Sequence, residues 1–194
     1  KVKKVHLTHL LQADIVKLNH DKIKEQIVNN MKYQLAIFDL DGTLLNTLED
    51  LADSANYVMK AFGYPERTLA EVRSFVGNGI RKLLERSAPV GTPAEEIDRM
   101  FEQFKEYYGM HCADKTKPYD GIVNMLSVLK ENGIKIAVVT NKLQEAAIDI
   151  TKHFFDGIVD LTIGQVDGMA QKPQPDGVFL ALQKLGVPKE KAVY

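Results

Sequence analysis

The chain has 194 residues and a formal net charge of -1, because 25 Lys and Arg residues nearly balance 26 Asp and Glu residues. This length fits one core domain with a small insertion, and the near-neutral charge gives no general attraction to nucleic acid or anionic membranes. No apolar run reaches the length of a membrane span. The single cysteine, Cys112, excludes an internal disulfide bond and favours a reducing, cytoplasmic location.

Residues 1–30 differ in character from the rest of the chain, since they are basic and contain several histidines. Leu11, Ile15 and Leu18 have helical spacing, but the segment lacks the continuous apolar core and the cleavage site of a secretory signal. Its histidines match no metal-binding spacing. We therefore expect an extension that is foreign to the fold, with the fold itself starting near Met31.

Two aspartates follow an apolar stretch of strand type, Leu35 to Phe38. Residues two apart on a strand share a face, so Asp39 and Asp41 are expected to lean the same way. Two ionised carboxylates this close repel each other unless a cation neutralises them. Mg²⁺ is the natural choice, because it binds one or two carboxylates together with a substrate phosphate. The pattern predicts phosphoryl chemistry, with one aspartate as nucleophile and the other as general acid and base.

The residues after the aspartates suit a bound anion. Gly42 lets the backbone approach a bound group closely, and Thr43 or Thr47 can cap the following helix, whose start favours anions. Gly42 and Thr43 are therefore candidate substrate-binding residues. The alternative is an Asp-rich turn after a buried strand, but the apolar residues on both sides favour a catalytic site.

From residue 46 to residue 116 the apolar periodicity is mainly helical, as at Leu48, Leu51 and Val58. A turn-rich segment, 117–121, follows this region. The next pattern predicts a helix over 122–131 that is closed by an Asn-Gly pair.

A second apolar stretch, 134–139, leads into Thr140 and Asn141. The Thr140 hydroxyl can donate a hydrogen bond to a phosphate oxygen, and Asn141 can offer its backbone or side-chain N–H. The alternative is that one of the two caps a helix beginning near Leu143.

A third candidate is Lys172, which lies in the proline-containing segment 171–176. Prolines limit where the lysine can go, and a fixed ammonium can hold phosphate and screen the two aspartates. The alternative is an ordinary extended loop before a helix that is predicted from Asp176 to Gly186.

The segment 39–44, DLDGTL, resembles the first signature of the haloacid-dehalogenase superfamily in its phosphatase form. The resemblance implies that Asp39 is the nucleophile and that Asp41 is the acid and base, whose backbone carbonyl also binds Mg²⁺. The strand ending at Thr140 and the loop with Lys172 resemble the second and third signatures, in the right order. They imply that Thr140, Asn141, Lys172 and the Gly42 backbone hold the phosphoryl group.

The resemblance also implies an architecture. We expect a doubly wound parallel α/β sheet of the Rossmann-like type, built from residues 31–45 and 117–194, with a small helical cap over 46–116 inserted after the first strand. The family's fourth signature is a strand followed by an acidic loop that completes the Mg²⁺ site. Here residues 191–194 match the start of that strand and no acidic loop follows. We therefore expect a core without its C-terminal part, and weak Mg²⁺ binding.

Residues 72–81, VRSFVGNGIR, look particularly like those of phosphoglycolate phosphatases. Gly77 and Gly79 are then expected to form a loop that faces the active site, and Arg73 or Arg81 to meet a substrate carboxylate. The alternative is a helix–helix turn with solvated arginines. The resemblance implies Mg²⁺-dependent hydrolysis of a small phosphate monoester, with 2-phosphoglycolate as the leading candidate.

Other functions remain open on the same core: a β-phosphoglucomutase-like phosphomutase, a pyrophosphatase, a nucleotidase, or a phosphonate hydrolase with a cap lysine such as Lys60 or Lys82. A different class is a non-catalytic phosphate-binding module or fragment. The expected partner is a small phosphorylated metabolite, and the sequence allows a monomer or a homodimer.

Overall fold

The computed structural model describes residues 32–194, so the extension expected at residues 1–30 lies outside the described part. The elements in chain order are β1 (Leu35–Phe38), β2 (Leu45–Asn46), α1 (Leu48–Ala61), α2 (Leu69–Phe75), α3 (Ile80–Ser87), α4 (Ala94–His111), β3 (Lys117–Pro118), α5 (Ile122–Glu131), β4 (Lys135–Leu143), α6 (Gln144–Phe155), β5 (Leu161–Gln165), α7 (Asp176–Leu185) and β6 (Ala192–Val193). A 3₁₀ turn, Lys189–Lys191, precedes β6.

The core is a parallel sheet with the strand order β5-β4-β1-β6. Successive side chains of β4 alternate between two apolar clusters. Ile136 and Val138 pack in the cluster that includes residues of α5 and α6, whereas Ala137 and Val139 pack in the cluster that includes residues of α7. Helices therefore cover both faces of the sheet, and the predicted doubly wound α/β fold is confirmed.

One glycine allows α7 to lie close to the sheet. A Cβ atom built on Gly177, in the first turn of α7, would come 2.8 Å from Cγ1 of Val139. Any larger residue would force either Val139 or α7 to shift.

Four helices, α1 to α4, lie between β1 and the next core helix, as the periodicity predicted. Their apolar side chains join the same buried cluster as one face of the sheet. The two chain connections to this insertion run side by side, because β2 pairs antiparallel with β3. These two connections form the hinge of the insertion. The buried Asp50 carboxylate stabilises this hinge by accepting hydrogen bonds from the backbone N–H groups of Lys115 and Thr116 at 2.8 to 3.1 Å.

Helix ends follow the sequence signals in part. Helix α5 spans the predicted residues, and Gly186 ends α7 in the left-handed conformation. Thr47 occupies the N-cap position of α1, but its side chain makes no capping hydrogen bond. The N-cap of α6 is Leu143, so neither Thr140 nor Asn141 caps that helix, and the alternative considered for them is wrong.

Two further features concern the part of the chain that is described. None of its helices is both long and apolar enough to cross a membrane. Cys112 is buried at the end of α4, and burial raises the pKa of its thiol. The thiol is therefore a packing group rather than a reactive one.

We expect Phe155→Ala to lower the free energy of unfolding by about 3–5 kcal/mol, because it leaves a cavity in the core cluster. The matched control is Phe179→Ala on α7, where the side chain is 52% exposed and the expected change is within about 0.5 kcal/mol. Denaturant unfolding of both variants checks this. Equal losses at the two positions would contradict the assignment of the core.

Candidate active site

A cavity of about 480 Å³ lies between the carboxyl ends of β1 and β4 and the helical insertion. Its position agrees with the general rule that parallel sheets bind ligands at the carboxyl ends of their strands. The charged residues that line it are Asp39, Asp41, Arg73, Lys142 and Lys172. The structure thus brings both predicted aspartates and the predicted lysine to one place.

Asp39 follows directly after the last residue of β1. Its Oδ1 atom accepts a hydrogen bond from the backbone N–H of Leu40 at 2.7 Å and lies 2.7 Å from Nζ of Lys172. Within residues 32–194, no hydrogen bond of its Oδ2 atom is found. One carboxylate oxygen is therefore fixed, and the other is available to attack a bound group.

Asp41 is paired with a buried lysine. Nζ of Lys142 lies 3.1 Å from Oδ1 of Asp41 and also donates a hydrogen bond to the hydroxyl of Tyr108. Burial alone lowers the pKa of an ammonium, but Asp41 and Tyr108 together more than offset this, so the pKa of Lys142 lies above its ordinary value. Burial also raises the pKa of Tyr108, so its hydroxyl keeps its proton.

The Asn141 side chain has a positioning role that the sequence patterns did not predict. Its side-chain Oδ1 accepts a hydrogen bond from the backbone N–H of Lys172 at 2.8 Å, and its Nδ2 donates to the backbone carbonyl of Lys172 at 3.1 Å. Both side-chain groups are thus used to hold the loop that carries Lys172. The Asn141 amide positions the lysine, and the lysine reaches Asp39.

Of three predicted substrate-binding residues, Thr140 and Gly42 line the cavity and Thr43 does not. Thr140 lines the cavity and is buried, and its hydroxyl oxygen accepts a hydrogen bond from the backbone N–H of Lys142 at 3.2 Å. Gly42 lines the cavity with a φ of 76°, but its N–H already donates to the carbonyl of Leu45 at 2.9 Å. Thr43 is exposed and is not among the residues that line the cavity.

The insertion contributes Arg73, Gly77 and Gly79 to the cavity, so the predicted glycine loop does face it. Arg81 does not line the cavity, because its guanidinium forms ion pairs with Asp98 and, at 3.3 Å, with Glu85 on the outside of the insertion. Of the two arginines considered from the sequence, only Arg73 is near the aspartates. Among residues 32–194 no ion pair of Arg73 is found.

Lys142 and Tyr108 are site residues that the sequence patterns did not single out. Lys142 had a detectable signal, since a lysine that directly continues an apolar strand is rarely buried unless it is paired. No sequence signal marked Tyr108, because it lies on the apolar face of α4 and has the pattern of an ordinary core residue. Only the packing of α4 against the strand ends reveals its hydroxyl as a partner of Lys142.

The donor set is compatible with Mg²⁺. The ion binds hard oxygen ligands and commonly uses one or two carboxylates, water and a substrate phosphate. Asp39 and Asp41 both line the cavity. Residues 32–194 contain no cluster of three or more His, Cys, Asp or Glu side chains suited to a metal, so within this range a Mg²⁺ ion in the cavity would rely on these two aspartates as its acidic ligands.

Comparison with known proteins agrees with this geometry. The family model for haloacid dehalogenase-like hydrolases matches residues 36–194. The chain therefore belongs to the haloacid dehalogenase-like hydrolase family. Within that family it is a phosphatase that resembles phosphoglycolate phosphatases.

Three similar proteins illustrate this relationship. The phosphoglycolate phosphatase of Thiobacillus denitrificans is 34% identical over 158 residues, which cover 78% of this chain and 69% of that protein. The N-acetylmuramic acid 6-phosphate phosphatase of Pseudomonas aeruginosa is 27% identical, with 86% and 74% covered. The crystal structure of a candidate phosphoglycolate phosphatase from Lactobacillus delbrueckii subsp. bulgaricus has a TM-score of 0.77 at 34% identity, with 84% and 78% covered.

We expect Lys172→Met to weaken the binding of inorganic phosphate by about tenfold or more, which corresponds to roughly 1.4 kcal/mol. The variant loses a cation and leaves the Asp39 carboxylate unscreened. Arg81→Met is the matched control, because Arg81 does not line the cavity. Isothermal titration calorimetry measures both affinities, and equal weakening in the two variants would contradict a phosphate site at Lys172.

Proposed function

We propose that this protein is a Mg²⁺-dependent phosphatase that hydrolyses a small, carboxylate-bearing phosphate monoester through an aspartyl-phosphate intermediate. 2-Phosphoglycolate is the leading substrate candidate. The observation that carries the proposal is one cavity that contains the two aspartates, Lys172 beside Asp39, and Arg73 from the insertion.

The charges of the cavity support a substrate with two anionic ends. Lys142 and Lys172 already have carboxylate partners in the core, whereas Arg73 lies on the insertion side and has no ion pair among the described residues. A guanidinium binds a carboxylate through two parallel hydrogen bonds. Arg73 is therefore the group that would select a carboxylate on the leaving alcohol.

In the first step, the free Oδ2 of Asp39 attacks phosphorus. A bond forms between this oxygen and phosphorus, and the bond between phosphorus and the alcohol oxygen breaks. Asp41, in the protonated state that the second step regenerates, gives its proton to the departing alcohol oxygen. Lys172 and the Thr140 hydroxyl stabilise the charge on the transferring group, which is where most of the rate gain in phosphoryl transfer arises.

In the second step, Asp41 takes a proton from a water molecule, whose oxygen bonds to phosphorus as the bond to Asp39 breaks. Inorganic phosphate leaves and Asp39 is a free carboxylate again. Mg²⁺ held by Asp39 and Asp41 would offset negative charge at the phosphate. The insertion covers the cavity and limits the entry of other water.

We expect Asp39→Asn to lower phosphate release by at least about a thousandfold, because an amide cannot replace the nucleophile. Asp98→Asn is the control, since Asp98 lies on the outside of the insertion. Released phosphate is measured with 2-phosphoglycolate, a sugar 6-phosphate, a nucleotide and pyrophosphate as substrates, and product analysis detects phosphoryl transfer to a sugar.

Rapid acid quenching and mass spectrometry then look for a phosphoryl group on the peptide that contains Asp39. Unchanged activity in Asp39→Asn would contradict the proposed intermediate. Binding of phosphate without turnover of any of these substrates by the wild type would favour a non-catalytic module instead.

We expect Arg73→Met to raise KM for 2-phosphoglycolate by about tenfold, because a substrate-binding contact is lost while the chemistry is retained. KM for ethyl phosphate, which lacks the carboxylate, should not change. Arg81→Met controls for loss of a positive charge on the insertion. Equal changes in KM for both substrates would contradict a carboxylate site at Arg73.

A further inference from the structure

Lys142 is a buried cation that the proposed chemistry does not itself require. Its side chain is 3% exposed, and lysine is rarely so buried unless it is paired. Two groups satisfy it: Oδ1 of Asp41, 3.1 Å from Nζ, and the Tyr108 hydroxyl, to which Nζ donates.

The three groups come from separate parts of the fold. Asp41 lies in the loop after β1, Lys142 lies near the end of β4, and Tyr108 lies on α4 of the insertion. Tyr108 is 2% exposed and packs against Phe104, with ring centroids 5.3 Å apart. The Tyr108 hydroxyl is therefore fixed relative to α4, and its contact with Lys142 links the insertion to the core.

This arrangement distinguishes the two oxygens of Asp41. Oδ1 accepts the hydrogen bond from Lys142, whereas no hydrogen bond of Oδ2 is found among residues 32–194. A carboxylate with one oxygen held has its rotation restricted, so its free oxygen points in one direction. Proton transfer needs such alignment, because a displacement of about 1 Å can reduce the rate by about a hundredfold.

We propose that Tyr108 and Lys142 are positioning residues through which the helical insertion orients the Asp41 carboxylate for proton transfer. The inference rests on the proposed role of Asp41 as acid and base. Lys142 fixes Oδ1, and Tyr108 fixes Lys142. The insertion then does more than cover the cavity, because α4 supplies one of the two contacts that keep Lys142 in place.

The test compares two substrates with different leaving groups. An alkyl phosphate, 2-phosphoglycolate, needs a proton on its leaving oxygen, whereas p-nitrophenyl phosphate releases a stable anion without one. The value of kcat/KM covers the steps up to the first departure of the leaving group. A variant with a misplaced Asp41 should therefore lose kcat/KM for the alkyl phosphate and retain it for the aryl phosphate.

The variants are Tyr108→Phe, which keeps the ring and removes the hydroxyl, and Lys142→Met, which keeps the length and removes the ammonium. We expect kcat/KM for 2-phosphoglycolate to fall about tenfold in Tyr108→Phe and about a hundredfold in Lys142→Met. For p-nitrophenyl phosphate it should change by less than about threefold. Tyr107→Phe is the matched control, since the Tyr107 ring stacks on Tyr57 and His111 instead.

Thermal unfolding shows which variants are folded, and Tyr108→Phe carries the test if Lys142→Met does not fold. Equal losses for both substrates would overturn the inference, because they indicate a structural role alone. Unchanged kcat/KM in Tyr108→Phe would also overturn it. A wild-type chain that is inactive on both substrates would instead overturn the proposed function, and the inference with it.

Discussion

The structure depends on the placement of two carboxylates, Asp39 and Asp41, two residues apart at the end of one buried strand. Like charges at this distance repel each other unless cations are near. The fold supplies an ammonium to each: Lys172 reaches Asp39 at 2.7 Å, and Lys142 reaches Asp41 at 3.1 Å. These two ion pairs come from different segments, so the site exists only when the sheet and its loops are assembled.

Parallel strand pairing explains why those segments meet. β1 pairs with β4 in a register that sets Phe38 beside Val138, so the residues that follow each strand emerge at the same edge. The next strand of the sheet, β5, precedes the loop that carries Lys172. Asn141 then fixes this loop with two hydrogen bonds to the Lys172 backbone. The Asn141 amide thus places Lys172 beside Asp39.

The helical insertion completes the cavity and shares a buried cluster with the sheet. Its two connections are held together by the pairing of β2 with β3 and by the Asp50 carboxylate. Since the hinge and the cluster fix α4 relative to the core, Tyr108 can serve both as a packing residue and as a partner of Lys142. The charged side chain that lines the cavity from this side is Arg73, while the outer arginine, Arg81, is held by acidic neighbours.

The sequence alone predicted the strands, the helical character of the insertion and the placement of Asp39 and Asp41 at one strand end, because these are properties of local order. The doubly wound fold followed from the resemblance of three short segments to a known family. Apolar runs define the strands, the spacing of Asp39 and Asp41 places both at one strand end, and proline and glycine mark the loops. The distinction between Arg73 and Arg81 was decided by tertiary structure, since both lie at helical positions and only packing sets which one faces the cavity. Tertiary structure likewise decided the hydrogen-bond partners of Asn141, Lys142 and Tyr108. A hydrogen bond between residues more than thirty positions apart has no local signature, so the partners of these side chains follow only from the assembled chain.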